Sequence, residues 1–446
     1  MKKQTLLWLA LILFNTAFSQ LNFIEHTIED NGLGYMEDTY AADLDGDGNL
    51  DLILAHEDSI SWFNNLDGLG NFGNPQTITS SLYTTESVYA TDLDGDSDLD
   101  VLAASFYDNK IAWYQNDGSG NFGTDQIIST NAYHATSVYA ADLDGDNVMD
   151  VLSASLSDNK IAWYQNDGNG NFGAQQIITS NAGGAEKVYA ADIDNDGDQD
   201  VLSASYFDDK IAWYQNDGSG NFGTQNIIGI VDGAIDVFPV DIDGDGDLDI
   251  LTAAIDNSTI DWYENIDGLG TFGTAQTIQT VIGGGHSVCA ADMDGDSDMD
   301  VVYGTDTRIA WHENTGQGTF GAQQIVFSST FGAAKINASD INNDNKTDVY
   351  GYYPSHLIWF ENNGVLSVTE NQVQDFSIYP NPTHEKVTID SELPFPTIEI
   401  YDILGKLVLS ESNSIHIDFT SYKSGIYYVR LEDVHGNSTF KTIIKE

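Results

Sequence analysis

The chain has a single cysteine, Cys289, in 446 residues. An internal disulfide framework is therefore excluded, and any staple must be of another kind. Cys289 stands in Val288-Cys289-Ala290, where another stretch reads Val138-Tyr139-Ala140. That register makes it a small core residue rather than a nucleophile. Basic residues are also scarce: 15 Lys and Arg face 70 Asp and Glu, for a formal net charge of −55. Phosphate binding needs clustered bases, so nucleic acid is excluded as a partner, and a bare anionic membrane surface with it. Beyond the N-terminus no run is long and apolar enough to span a bilayer. No helical period is visible, and there is no Gly-x-Ser-x-Gly, P-loop or cofactor fingerprint. High negative charge often accompanies disorder. Here 41% hydrophobic and 11% aromatic residues are enough for a packed core, so the acidity has another cause.

What is present begins with MKKQTLLWLALILFNTAFSQ. Lys2 and Lys3 make a basic start, Leu6 to Phe14 a short apolar stretch, and Ala17-Phe18-Ser19 a small-x-small cleavage signal. Residues 1–19 are expected to be a signal peptide, cut before Gln20, that exports the protein. An aspartate string then recurs seven times, starting at Asp43, Asp92, Asp142, Asp192, Asp241, Asp292 and Asp340, at spacings of 48 to 51 residues. A tryptophan follows each one: Trp62, Trp113, Trp163, Trp213, Trp262, Trp311 and Trp359. A period this regular means an array of one structural unit. In one unit, residues 137–142 read as a strand entering the acidic loop and 150–155 as a strand leaving it. Residues 160–166 are a third strand, 167–172 an Asp-Gly turn and 175–179 a fourth strand. Four strands in seven units describe an all-β, seven-bladed β-propeller. The turn and fourth strand follow only six of the loops. The seventh unit stops at Glu361-Asn362-Asn363-Gly364, and residues 21–28 match the missing piece. The N-terminal segment is thus expected to be the outer strand of the last blade, leaving no free edge there.

The loop accounts for the acidity. In Asp92-Leu93-Asp94-Gly95-Asp96-Ser97-Asp98-Leu99-Asp100, carboxylates at positions 1, 3, 5 and 9 can converge on one ion. A carbonyl at position 7 completes the set, and calcium takes about six to eight oxygens. The expected ligands are Asp43, Asp45, Asp47, Asn49 and Asp51 in the first loop, and Asp92, Asp94, Asp96, Asp98 and Asp100 in the second. The third supplies Asp142, Asp144, Asp146, Val148 and Asp150, and the fourth Asp192, Asp194, Asp196, Asp198 and Asp200. The fifth supplies Asp241, Asp243, Asp245, Asp247 and Asp249, and the sixth Asp292, Asp294, Asp296, Asp298 and Asp300. The seventh has Asp340, Asn342, Asp344, Lys346 and Asp348. In each loop position 7 serves through its carbonyl. Position 6 must turn sharply and is always Gly, Ser or Asn. The string opens like an EF-hand, but position 12 holds Leu54 or Ala103 and strands flank it. It therefore reads as a calcium loop on a β-hairpin. Up to seven structural Ca²⁺ are expected, and magnesium, which keeps its waters, is disfavoured. Residues 20–364 hold 58 acids and only 7 bases, a surplus that bound cations would reduce. The seventh loop, with Asn342 for an acid and Lys346 at position 7, is expected to be the weakest site.

These loops, with the "VYAAD", "DVL" and "NFG" pieces around them, resemble the FG-GAP/VCBS repeat family, which includes the integrin α-subunit propeller. The Gly-Ala-Pro spelling is absent, so the likeness is to the looser bacterial repeats. It covers residues 21–364 and implies calcium loops on one face and ligand contacts on the other. A second resemblance covers residues 376–446, which look like a type IX secretion C-terminal sorting domain of the Bacteroidota kind. Its landmarks are Tyr379-Pro380-Asn381-Pro382, Gly405-Lys406, Gly425-Ile426-Tyr427-Tyr428, Lys441 and Lys445. It implies a small Ig-like β-sandwich that hands the cargo to the type IX machinery, leaving it secreted or on the outer-membrane exterior. The alternating pattern independently places turns at Leu404-Gly405 and His435-Gly436. Residues 365–375 read as a linker.

On the presumed ligand face the candidate contacts are Tyr35, Tyr83, Tyr107, Tyr133, Phe207 and Tyr353, with Phe106, Tyr206, Phe331 and Tyr352 beside them. Exposed aromatics suit sugar stacking or protein contacts. Lys110, Lys160, Lys210 and Arg308 fall on the same face and leave an acidic ligand open. The tryptophans read as core between blades rather than as sugar platforms. The propeller's six histidines share no register, and most carboxylates are committed to metal, so no catalytic residue is assigned. The expectation is a non-catalytic binding or adhesion module for an extracellular protein or glycan. The alternative is an exported polysaccharide-active enzyme or lectin on the same ring.

Overall fold

The second strand of each repeat, such as Asp-Val-Leu-Ser-Ala-Ser, has no water-seeking face and needs cover on both sides. In the structure, a computed structural model, neighbouring copies of the repeat supply that cover. It describes residues 21–30, 32–328, 335–353, 355–365, 377–390, 397–403, 406–411, 416–432 and 438–446. The expected signal peptide, Phe331 and the turns at Leu404-Gly405 and His435-Gly436 lie outside the described residues, as does the expected linker apart from Val365, which ends a strand of the last blade. The described residues are all strand, turn and loop, with no helix among them, and none therefore crosses a membrane as a helix.

Each repeat is a four-stranded antiparallel sheet with its strands in sequential order, here called blades 1 to 7 after their loops. In blade 3 the strands are Ala135–Ala141, Asp150–Ser155, Lys160–Tyr164 and Gln176–Thr179. Burial follows position. All six residues of the second strand are buried, while the fourth, at the rim, is half exposed and carries Gln and Thr. The apolar clusters straddle neighbouring blades: one joins Leu152, Ile161 and Trp163 of blade 3 to Val188, Val201 and Tyr214 of blade 4. The tryptophans are core. Trp113 is 2% exposed, and a Cβ on Gly170 in the next blade's turn would meet its ring at 2.4 Å. Gly120, Gly220, Gly270 and Gly318 press on the preceding blade's tryptophan in the same way, and Gly70 presses on Trp359. These glycines also take positive φ, so both space and conformation demand glycine there.

The ring closes on itself. Leu21–Asp30 pairs antiparallel with His356–Val365 of blade 7, with His26 opposite Trp359. Blade 7 also bonds directly to blade 1: Tyr350 Oη accepts the Ala41 N–H at 3.2 Å, and Asn337 Nδ2 donates to Thr39 O at 3.0 Å. An aspartate or serine five residues before a loop's first aspartate stitches first strands together. Asp38, Ser87, Ser137, Asp236 and Ser287 each accept a main-chain N–H of the following blade. Blades 4 and 7 carry Lys187 and Lys335 there, which cannot accept. At those two junctions the next blade's aspartate turns its other oxygen to its own strand, Asp236 to Val237 and Asp38 to Thr39, each at 3.0 Å. The same junctions gain bonds at their opposite ends. Asn195 Nδ2 donates to Asp247 and Gly268, and Asn343 Nδ2 to Asn49 and Gly68.

The chain's contacts set Gln20–Val365 apart from the C-terminal residues. The C-terminal unit has a sheet of Ser377–Tyr379, Lys386–Asp390 and His416–Asp418. A second holds Leu407–Glu411, Thr397–Asp402, Gly425–Glu432 and Ser438–Lys445, in that order. Val387, Ile400, Phe419, Val429 and Ile443 form the core between them.

Candidate functional site

Each acidic loop joins the first and second strands of its blade. Positions 4 and 6 take positive φ in all seven, as Gly95 (80°) and Ser97 (76°) do in blade 2. These bends turn main-chain N–H groups inward, where carboxylates accept them. Asp92 accepts from Gly95 at 2.7 Å and Ser97 at 3.0 Å, and Asp96 from Asp98 at 3.0 Å. Asp100 at position 9 is buried, and it accepts from Leu93 at 3.0 Å and Asn116 at 2.8 Å. Asp51, Asp150, Asp200, Asp249, Asp300 and Asp348 repeat that pair of bonds. Position 9 therefore locks each loop to the third strand, a role the spacing alone did not reveal.

Two further residues escaped the sequence reading. The asparagine three places after each tryptophan is buried. Asn116 Nδ2 donates to Leu99 O of its own blade at 3.0 Å and to Leu44 O of the preceding loop at 2.7 Å. Asn65, Asn166, Asn216, Asn265, Asn314 and Asn362 bond in the same way, so every loop is tied to the next blade. The residue before it touches position 3: Gln115, Gln165 and Gln215 donate to Asp94, Asp144 and Asp194. In blades 5 and 6 it is Glu264 and Glu313; burial first, then the neighbouring Asp245 and Asp296, push Asp243 and Asp294 up, and these glutamates add to it. The available signal was recurrence in every repeat.

The donor sets fit a cation. Carboxylate oxygens lie within 4.8 Å of one another in Asp43, Asp45 and Asp51; Asp92, Asp94 and Asp96; and Asp142, Asp144 and Asp146. The same holds for Asp192, Asp194 and Asp200, and for Asp241, Asp243 and Asp245. The second oxygens of Asp94, Asp144 and Asp194 are buried without any partner, which is costly unless a cation takes them. Burial, aided by neighbouring aspartates, pushes the position 9 groups up to about 7, against two N–H bonds each that pull down. All side-chain donors are hard oxygens, the choice of Ca²⁺, Mg²⁺ or Mn²⁺ rather than of a soft metal. These clusters can hold metal ions. In the seventh loop Lys346 Nζ already stands 2.6 Å from Asp344.

On the opposite face, Tyr35, Tyr83, Tyr107, Tyr133 and Phe207 are exposed. Tyr83, Phe106, Tyr107 and His134 form one aromatic group, with His134 stacked on Phe106 at 4.2 Å and Tyr83 5.0 Å from Tyr107. Tyr352 and Tyr353 are not connection residues. The hairpin is tight enough to pair Tyr353 with His356, so Tyr353 packs on Phe327 and His356, and Tyr352 is buried. The bases are engaged within their own blades: Lys110 with Asp125, Lys160 with Asp158, Lys210 with Asp208, and Arg308 with Gln323. The histidines are dispersed. His56 and His312 are buried, and burial lowers their pKa; His26 pairs with Glu361 and His286 with Asp306. Cys289 is buried in the blade 6–7 cluster, where burial pushes its thiol up. In the C-terminal unit Asn381 of the Tyr-Pro-Asn-Pro motif clamps the last strand, donating to Thr442 O and accepting from the Ile444 N–H.

Known proteins agree with this geometry. The FG-GAP-like repeat family matches six overlapping segments, residues 43–103, 92–153, 148–203, 192–252, 241–303 and 292–351. The secretion system C-terminal sorting domain matches residues 377–446. No curated protein matches the chain. Among solved structures, an Agrocybe aegerita lectin, described for its specific recognition of non-reducing terminal N-acetylglucosamine, is similar at 19% identity and a TM-score of 0.53. That match covers 74% of this chain and 86% of the lectin, and at this identity it speaks for the fold alone. Its loops, its ring of repeated sheets and its tail make this chain a member of the FG-GAP-like repeat family that ends in a secretion system C-terminal sorting domain.

Proposed function

We propose that the protein is a non-catalytic binding or adhesion module, exported through the type IX route and held in shape by up to seven calcium ions. The proposed organisation is a signal peptide over 1–19, the propeller over 20–364, a linker over 365–375 and the sorting domain over 376–446. The sorting domain supports handling by type IX secretion and a surface or secreted location. In each loop the proposed ligands are the side chains at positions 1, 3, 5 and 9 and the carbonyl at position 7. The observation that carries the metal reading is the buried, partnerless oxygen of Asp94, Asp144 and Asp194, repeated in a strongly acidic ring without disulfides. The ion would replace the missing staples. In excess EDTA the melting temperature of the mature chain should fall by more than about 10 °C, and an unchanged melting curve would refute structural calcium.

The aromatic group of Tyr83, Phe106, Tyr107 and His134 favours a carbohydrate among the candidate ligands, through ring stacking. A glycan array probed with the calcium-loaded mature chain, run beside turnover assays on the same polysaccharides, tests this. Binding without turnover supports the module. Turnover would replace it with a polysaccharide-active enzyme.

A further inference from the structure

The first strands of the blades surround a cavity of about 700 Å³ at the end of the ring away from the acidic loops. Two kinds of carboxylate line it. Asp38 and Asp236 are spoken for: each accepts two main-chain N–H groups and feels the charge of a lysine, Lys335 for Asp236 and Asp38 alike, and Lys187 for Asp236. Glu37, Glu86 and Glu186, six residues before their loops, are different. No hydrogen bond or ion pair holds their carboxylates among the described residues. Burial pushes Glu37 and Glu186 up to about 7, and Lys335 offsets this only in part. The three glutamates belong to blades 1, 2 and 4. On the same arc, three residues nearer the loops, Tyr40, Tyr89, Tyr139 and Tyr189 form a continuous row, with neighbouring rings 4.3 to 4.8 Å apart. The far wall carries Ile235 and Phe238, and His286 there is tied to Asp306. The cavity thus gathers its unpaired carboxylates and its tyrosine row on one side, while the far wall mixes Ile235 and Phe238 with Asp236, His286 and Lys335.

We propose that this cavity binds an organic cation, an ammonium or guanidinium group on a slender apolar stem. Glu37, Glu86 and Glu186 receive the charged head, and the tyrosine row receives the stem. A bare metal ion is a poorer occupant, because it would use the carboxylates alone and gain nothing from the apolar surface of the tyrosine row. An organic cation gains from both surfaces, its head from the carboxylates and its apolar stem from the aromatic surface, and the volume suits a small ligand. The same chemistry comes from a free polyamine or from a basic side chain of a protein partner. The inference rests on reading the protein as a binding module and adds the chemistry of one site.

The test is calorimetric titration of the calcium-saturated mature chain with two probes, spermidine and an acetylated Lys-Gly-Lys peptide. Either probe should bind saturably, and spermidine alone or the peptide alone would identify the source. The double variant Glu86→Gln/Glu186→Gln should weaken binding about tenfold or more. The charge-matched control Asp117→Asn/Asp167→Asn, in exposed turns, should leave it within about twofold. Should the glutamine variant fail to fold, Lys335→Met provides the second reading: removing the internal ammonium should tighten binding several-fold. Equal weakening by the glutamate and control variants overturns the proposal, as does displacement of spermidine by equimolar magnesium or no saturable binding at millimolar probe. Glycan-array binding that survives such a failure leaves the module reading intact; cation binding with an empty array does the reverse.

Discussion

Asn116 links two carbonyls seventeen and seventy-two residues away. Asn116→Ala leaves both acceptors unmet, one of them buried, which should cost about 2 kcal/mol, read from the denaturant midpoint in calcium. Asn121→Ala, in an exposed turn against Asp117, should stay within about 0.5 kcal/mol. The contrast also marks what the sequence could and could not disclose. Alternate aspartates announce a loop through spacing alone. An asparagine after a strand looks like any turn residue, because its decisive partner is in another blade. Position 9 is similar: within an acidic run it reads as one more carboxylate, and only packing reveals it as a buried acceptor. Its ionisation yields a second prediction. A carboxyl with a higher pKa in the folded than in the unfolded chain favours folding while protonated. Without metal, the seven position 9 aspartates therefore contribute most at low pH, and that contribution is lost as pH rises through about 7. His56 and His312 act the other way in acid. In chelator, melting at about pH 6.5 should thus exceed melting at about pH 8. Excess calcium should reverse the order, because the ion binds ionised carboxylates. An unchanged order would separate these aspartates from the metal.

At the scale of the element, the strands were legible because their composition follows their place: apolar in the middle, polar at the rim, with the alternating aspartates confined to the loop. Hairpin length was not. Tyr353 looked like a connection residue because nothing local reveals that its strand runs to the bend. The junctions between blades 4 and 5 and between blades 7 and 1 were also unreadable as a pair. Each loses a stitch where Lys187 or Lys335 replaces an acceptor, and each gains one where Asn195 or Asn343 replaces glycine. Asn195→Gly restores the residue used in five other loops and keeps the positive φ (57°) comfortable. It nevertheless removes bonds to Asp247 and Gly268, so it should destabilise by about 1 kcal/mol. A gain in melting temperature would mean that backbone relief outweighs the bridge.

For the whole molecule, the number of repeats and the displaced outer strand were visible as arithmetic in the sequence. The cavity was not, because it is made by single residues contributed from blades far apart along the chain. Deleting residues 21–30 from the mature chain should expose the third strand of blade 7 and bare the ring's last edge. The expected outcome is a lower melting temperature in calcium with concentration-dependent association, seen by light scattering. A monomer with an unaltered transition would show that the strand is dispensable. The pairing of that strand also has a consequence in time. His26 meets Glu361 across 335 residues of chain, so the first strand of the ring must wait for its last blade. Bringing such distant ends together carries a loop-closure cost that local contacts do not repay until late. The latch is therefore a completion check: an interrupted chain can form blades, but it has nothing with which to shut the circle.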